Sequence, residues 1–167
     1  MRPRLVIFGI LFSTCAWVAA AFFAVSGCSR QEAQLTTGKV IAAAQLPGLK
    51  GDTAYAEVNP ACLASLYEDF RAELSSRGLV KWDARYDCNK FAAHYISKAQ
   101  TRYAVAAWQS STPAQSLALA EVWYRRGDGT AHAIVQARTP AGDTYIEPQN
   151  GSVLPSIPET AIFLRKW

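Results

Sequence analysis

The spacing of hydrophobic and polar positions changes character several times along this chain. Residues 5–25 run for 21 positions without a charge, long enough to cross the hydrocarbon of a bilayer as a helix. Residues 29–52 are polar and rich in small side chains, and Pro47, Gly48 and Gly51 follow the apolar patch Val40-Ile41-Ala42-Ala43-Ala44. That composition reads as a tether with a weakly ordered lead-in. Leu63, Leu66, Tyr67, Phe70 and Leu74 then recur at helical spacing, with Asn59-Pro60 as cap and first-turn proline and Gly78 as the stop. A second helix is expected to start at Asp87 and to bury Phe91, Ala92, Tyr95, Ile96 and Ala99 on one face.

Beyond a polar linker at 109–115, which contains Pro113, the pattern becomes that of strands. Residues 117–125 read as a strand, Gly127-Asp128-Gly129 as a turn, and residues 131–138 as the antiparallel partner. A turn at Pro140-Ala141-Gly142-Asp143 leads into a short strand over 144–147, which Pro148 ends, and 161–164 form a last strand. Helices followed by an antiparallel meander imply an α+β domain, its helices packed on an antiparallel sheet.

The amino terminus is best read as an address. Arg2 and Arg4 form a basic start before the apolar run, as in a secretory signal. Val25-Ser26-Gly27-Cys28 resembles the lipobox of bacterial lipoproteins: an aliphatic residue, two small residues and a cysteine. The resemblance implies a signal peptide at 1–27, cleavage before Cys28, and a diacylglyceryl group on Cys28 with acylation (palmitate in kind) of the new terminus. Several buried acyl chains hold a membrane far better than one. The chain then divides into the signal peptide, a tether at 28–52 and a domain at 53–167. Ser29 after the lipid cysteine resembles the outer-membrane type in Gram-negative cells, facing the periplasm. The alternative, an uncleaved transmembrane anchor, likewise puts the body in the cell envelope. Without the two leader arginines the chain holds 15 basic and 13 acidic residues, too balanced to argue for nucleic-acid binding.

With Cys15 in the leader and Cys28 on lipid, Cys62 and Cys88 remain in an oxidising compartment, and a structural disulfide between them is one reading. The surroundings of Cys88 suggest another. Asp87-Cys88-Asn89-Lys90-Phe91-Ala92 puts the thiol in the first turn of a helix, where the dipole and free amides favour thiolate. A thiolate nucleophile needs a base. His94 lies on the same helix but about 240° around from Cys88, whereas His132 opens a strand beside a loop. Glu147, between Ile146 and Pro148 on the next strand, is the candidate acid to orient that histidine. Trp82 and Gln149 are weaker candidates for an oxyanion partner, and Gln100 and Gln109 follow the cysteine rather than precede it. Asp83, Asp87, Asp128 and Asp143 match no calcium loop and read as turn chemistry. Zinc held by Cys88, His132 and Glu147 has suitable ligand types but generic spacing, so no metal and no cofactor is expected.

The order of cysteine at a helix start, histidine on one strand and acid on the next resembles the papain-like and transglutaminase-like cysteine enzymes. The stretches Asp-Cys-x-x-Phe-Ala, His-Ala-x-x-Val and Ile-Glu-Pro-Gln-x-Gly carry the resemblance over residues 59–167, and are similar to small bacterial and phage domains and to a mushroom agglutinin's carboxy-terminal domain. It implies a cysteine-peptidase-like or transglutaminase-like fold with Cys88 as nucleophile, His132 as base and Glu147 behind it. The expected activity is hydrolase or acyl-transferase chemistry on an amide or ester in a protein, peptide or cell-wall substrate. Asn89 stands where transglutaminases carry tryptophan, and no upstream partner is evident for the oxyanion glutamine that papains place before their cysteine. The competing expectation is an inactive scaffold or structural lipoprotein that binds an envelope partner. The anchor carries its own prediction: Cys28→Ala abolishes incorporation of an alkyne-palmitate label in bacterial cells, and labelling that persists in the variant would contradict lipid attachment at Cys28.

Overall fold

The computed structural model describes residues 35–108, 110–154 and 156–167; the expected signal peptide and Cys28 lie outside them. The order of elements is strand β1 (Thr36–Ala42), strand β2 (Ala54–Val58), helix α1 (Leu63–Ser76), helix α2 (Cys88–Ala107) and strands β3 (Ser116–Leu117), β4 (Leu119–Arg125), β5 (Ala131–Thr139), β6 (Gly142–Ile146), β7 (Val153–Leu154) and β8 (Ile162–Lys166). A five-stranded antiparallel sheet runs β7-β6-β5-β4-β8, and a three-stranded sheet runs β1-β2-β3 with β3 parallel to β2. The α+β class expected from the pattern is what the chain forms.

Local chemistry explains the helices. Asn59 accepts a hydrogen bond from the Ala61 amide at 3.1 Å, and Pro60 opens one turn of 3-10 helix that leads into α1. Beyond the last turn Gly78 adopts φ +69°, a conformation that side-chain-bearing residues avoid. Leu63, Leu66, Phe70 and Leu74 of α1, and Phe91, Ala92, Tyr95, Ala99, Tyr103 and Ala106 of α2, are buried in one core. Across it lie Leu119, Ala133, Val135, Ala137 and Ile146 of the sheet. Their strand neighbours Ala120, Val122, Ile134 and Tyr145 form a second cluster, as the alternation of strand side chains requires.

The segment expected as tether differs from that reading. Thr36–Ala42 is a strand paired with β2, and Leu35, Ile41 and Leu46 are buried. The Leu49 amide donates to the Arg165 carbonyl, and the Trp167 amide donates to the Leu49 carbonyl, both at 2.9 Å. Gly48 makes this approach possible, because a Cβ there would fall 2.6 Å from the Arg165 carbonyl oxygen. The partners of this segment lie far along the chain, so its own composition did not reveal them. The two sheets meet at Ala118, whose amide donates to Ala56 and whose carbonyl accepts from the Arg138 amide.

Phe70 is fully buried, with its ring edge-on to Tyr95 at 5.5 Å between centroids. Truncating it leaves a cavity in the main core, so Phe70→Ala is expected to cost on the order of 3–5 kcal/mol in urea unfolding. Glu68→Ala on the exposed face of the same helix is expected to stay within about 0.5 kcal/mol.

Candidate functional site

Cys88 is the first residue of α2, with Asp87 as its cap position, and it is half-buried against the main core. The far half of α2 is fixed at the opposite end of the sheet. The Gln100 side chain donates to the Leu117 carbonyl at 3.0 Å and accepts from the Leu117 amide at 2.8 Å; the Tyr103 hydroxyl donates to the Ala114 carbonyl at 3.0 Å. Leu117 precedes β4, and Leu119 pairs with Ala137 near the end of β5. A 20-residue helix spans about 30 Å, close to the length of β5 at about 3.4 Å per residue. Since α2 packs on β4 and β5, its first turn stands away from that end of the sheet; His132 stands near the start of β5. Trp123, which pairs with Ala133 next to His132, packs against the same core as Cys88.

His132 is buried, and its Nε2–H donates to Glu147 Oε2 at 2.5 Å. The carboxylate can only accept, so Nε2 is the donor in this bond, and in the neutral ring Nδ1 carries the lone pair. The second carboxylate oxygen, Oε1, accepts from the Gln149 amide at 3.2 Å. The Tyr124 ring stands edge-on to the imidazole at 5.8 Å between centroids, and the Arg126 guanidinium lies 3.9 Å from Glu147 Oε2. A buried imidazole with one nitrogen tied to a carboxylate and the other left as an acceptor suits a general base.

The remaining candidates are placed differently. Cys62 and Cys88 are free thiols, so the disulfide considered from the sequence is not formed. Cys62 is buried, its thiol directed at the Leu35 carbonyl at 3.6 Å, and burial pushes its pKa up to about 11. His94 stays out of the site: its Nδ1 shares a hydrogen bond with the Tyr86 hydroxyl at 2.6 Å and its Nε2 donates to Glu73 at 3.1 Å. Sequence reasoning missed this link, although it fastens the loop entering Cys88 to α1. Nothing in the spacing of Glu73 and Tyr86 announces it. Trp82 is exposed and Gln100 is at the wrong end of α2. Asp83 binds Arg85, Asp87 binds Lys90, Asp128 accepts from Thr130, and Asp143 pairs with Arg138. Among the described residues no three His, Cys, Asp or Glu side chains converge as a metal site.

No family model and no curated protein sequence matches the chain. Among solved structures it is similar to a lectin of Polyporus squamosus bound to the human-type influenza-binding epitope Neu5Aca2-6Galb1-4GlcNAc, with 16% identity over 74% of this chain and 43% of that one, at a TM-score of 0.56. It is also similar to PSL1a in a complex with E64, with 17% identity over 93% of this chain and 51% of that one, at a TM-score of 0.54. The chain thus spans about half the length of the solved chains it matches, and the likeness is one of fold. It corrects the papain-like and transglutaminase-like assignment drawn from the motifs, and the cysteine-peptidase and hydrolase labels attached to it. The physical reason lies in what such motifs encode. They specify a helix start and two strand ends, which unrelated topologies share, while strand order and long-range pairing define the fold.

The Glu73 network yields a pH prediction. Hydrogen bonds from Lys98 and His94, with the charges of Lys98 and Arg77, hold its carboxyl down at about 2. A depressed carboxyl stabilises the fold above its unfolded value of 4.5, and that contribution disappears as pH falls toward about 2. Urea midpoints measured across this window are expected to drop with acid in the wild type and to drop less in Glu73→Gln; parallel curves would show that the network does not couple to folding.

Proposed function

We propose that Cys88, His132 and Glu147 form a cysteine-nucleophile site acting on an amide or ester carbonyl, in a protein held in the bacterial cell envelope by lipid on Cys28. The observation that carries this reading is the buried His132–Glu147 pair at 2.5 Å, with Cys88 in the first turn of the helix packed on the same sheet. Glu147 fixes the ring and stabilises the imidazolium, so Nδ1 is the nitrogen that takes the thiol proton. The first turn of α2 favours the resulting thiolate. Sγ attacks the carbonyl carbon, and free amides at the helix start stabilise the oxyanion. The C–N or C–O bond then breaks, with the proton returned by His132 to the leaving group. The thioester passes its acyl group to water or to an amine. A protein, peptide or cell-wall component of the envelope is the substrate class that fits the tethered location.

A second reading has one observation in its favour, the similarity to lectin chains. On it the domain binds an envelope partner and Cys88 does no chemistry. Thiol alkylation of the full chain in detergent micelles, followed against pH, separates the two. The site reading expects Cys88 to react with iodoacetamide well below the free-cysteine pKa of about 8.5, with Cys62 unlabelled, and His132→Ala to slow the reaction at pH 6–7 by on the order of tenfold. Glu147→Gln is expected to lie between them, and E64 serves as a second probe because one similar structure holds it. A Cys88 that titrates as an ordinary thiol, indifferent to His132, would leave the binding reading.

A further inference from the structure

Helix α1 joins the two segments that carry opposite ends of the proposed site. Tyr67 and Arg71 are four residues apart and so share one face of α1. The turn after Glu147 is moulded on the Tyr67 ring. Gly151 adopts φ +78°, and a Cβ there would fall 2.5 Å from Tyr67 Cε1. Within that turn the Glu147 amide donates to the Ser152 carbonyl at 2.8 Å, and the Gly151 amide donates to the Glu147 carbonyl at 2.8 Å. One helical turn on, Arg71 Nη1 donates to the Gln149 carbonyl at 3.3 Å and to the Val80 carbonyl at 3.4 Å. Gln149 is the residue whose amide holds the second oxygen of Glu147. Val80 lies in the loop that runs from α1 through Tyr86 to Asp87 and Cys88. One guanidinium therefore bridges the lead-in to the cysteine and the turn that aims the acid.

We propose that Tyr67 and Arg71 are positioning residues that set the register between Cys88 and the His132–Glu147 pair without touching substrate. The inference rests on the proposed function of that site. Tyr67 senses its neighbour: burial pushes the phenol pKa up, and the Glu147 charge adds to it while Arg71 opposes. The charged and titratable groups that face His132 and Glu147 are Tyr67 of α1, Tyr124 of β4 and Arg126 of the turn between β4 and β5. No substitution below replaces any of those three; Arg71→Met also removes the charge that opposes the rise at Tyr67, and Arg71→Lys keeps it. A carbonyl bridge needs a donor of the right reach, so Arg71→Met removes it while Arg71→Lys retains a cationic donor near the same place. Gly151→Ala displaces the turn from the Tyr67 ring by another route.

The experiment reads Cys88 alkylation by iodoacetamide against pH in the full chain in detergent, with near-ultraviolet circular dichroism confirming that each variant is folded. Arg71→Met and Gly151→Ala are each expected to slow labelling at pH 6–7 by about tenfold or more and to move the profile toward that of a free thiol. Arg71→Lys is expected to recover at least part of the rate, and Glu68→Ala, exposed on the same helix, to match the wild type. A purely structural role would lower the melting temperature and leave the profile in place, and that result overturns the inference. So do variants that keep the wild-type profile within twofold while His132→Ala still shifts it. A wild type with no His132-dependent reactivity overturns the proposed function and this inference together. Should Arg71→Met fail to fold, Gly151→Ala alone decides the question by the same criteria.

Discussion

Burial of one face of α2 against β4 and β5 is the constraint from which the rest of the structure follows. Phe91, Tyr95 and Tyr103 are almost wholly removed from water, and full burial of an apolar side chain such as Phe91 contributes roughly 1.5–3 kcal/mol of transfer free energy. The alanines between them, Ala92, Ala99 and Ala106, are also buried and let the helix approach the sheet closely. Because the packed face runs the length of the helix, α2 has little freedom to slide. Gln100 completes the fit by taking both backbone groups of Leu117 as a neighbouring strand would. With the far end fixed in this way, packing sets the course of the helix that carries Cys88, and Cys88 itself packs against the same core.

The opposite face of the large sheet is closed by polar groups as well as apolar ones. Arg165 of β8 is buried; its Nε donates to Gln136 of β5 at 2.6 Å, and its two terminal nitrogens donate to Glu159 at 2.8 and 2.9 Å. A buried guanidinium is costly unless its donors are satisfied, and this one ties β8 to β5 across the intervening β4. Glu57 of β2 follows the same logic. Burial pushes its carboxyl up, but hydrogen bonds from Lys39 and Thr37 outweigh it and hold the group below its ordinary range. These clusters belong to architecture. His132 and Glu147 differ from them in leaving a ring nitrogen that the bond to glutamate does not use.

Three short motifs proved informative about side chains and misleading about the fold family. Asp-Cys-x-x-Phe-Ala marks a helix start whose Phe and Ala turn inward, and Phe91 and Ala92 do so. His-Ala-x-x-Val marks a strand whose alternate residues meet that helix, as Ala133 and Val135 do. Ile-Glu-Pro-Gln-x-Gly marks a strand end followed by a left-handed glycine, which Gly151 supplies. Each motif is a solution to a local problem. None contains the strand order, and the strand order separates one α+β topology from another.

The chain's own sequence determined what depends on near neighbours. The helical stripes of α1 and α2, the Asn59-Pro60 start, the Gly78 stop and the hairpin at Gly127-Asp128-Gly129 were legible because propensity, capping and period act within a few residues. Cys88, His132 and Glu147 stood out for the same reason, each being unusual in its immediate setting. Only the tertiary structure decided the rest. Thr36–Ala42 became a strand because Ala54–Val58 pairs with it and because Leu35, Ile41 and Leu46 find partners far along the chain. Cys62 became an inert buried thiol, and His94 a link between Tyr86 and Glu73. Tyr67 and Arg71 acquired their place beside the turn at Gly151 in the same way. Contacts between residues tens of positions apart leave no periodic trace in either segment, since each side chain is ordinary until the other arrives.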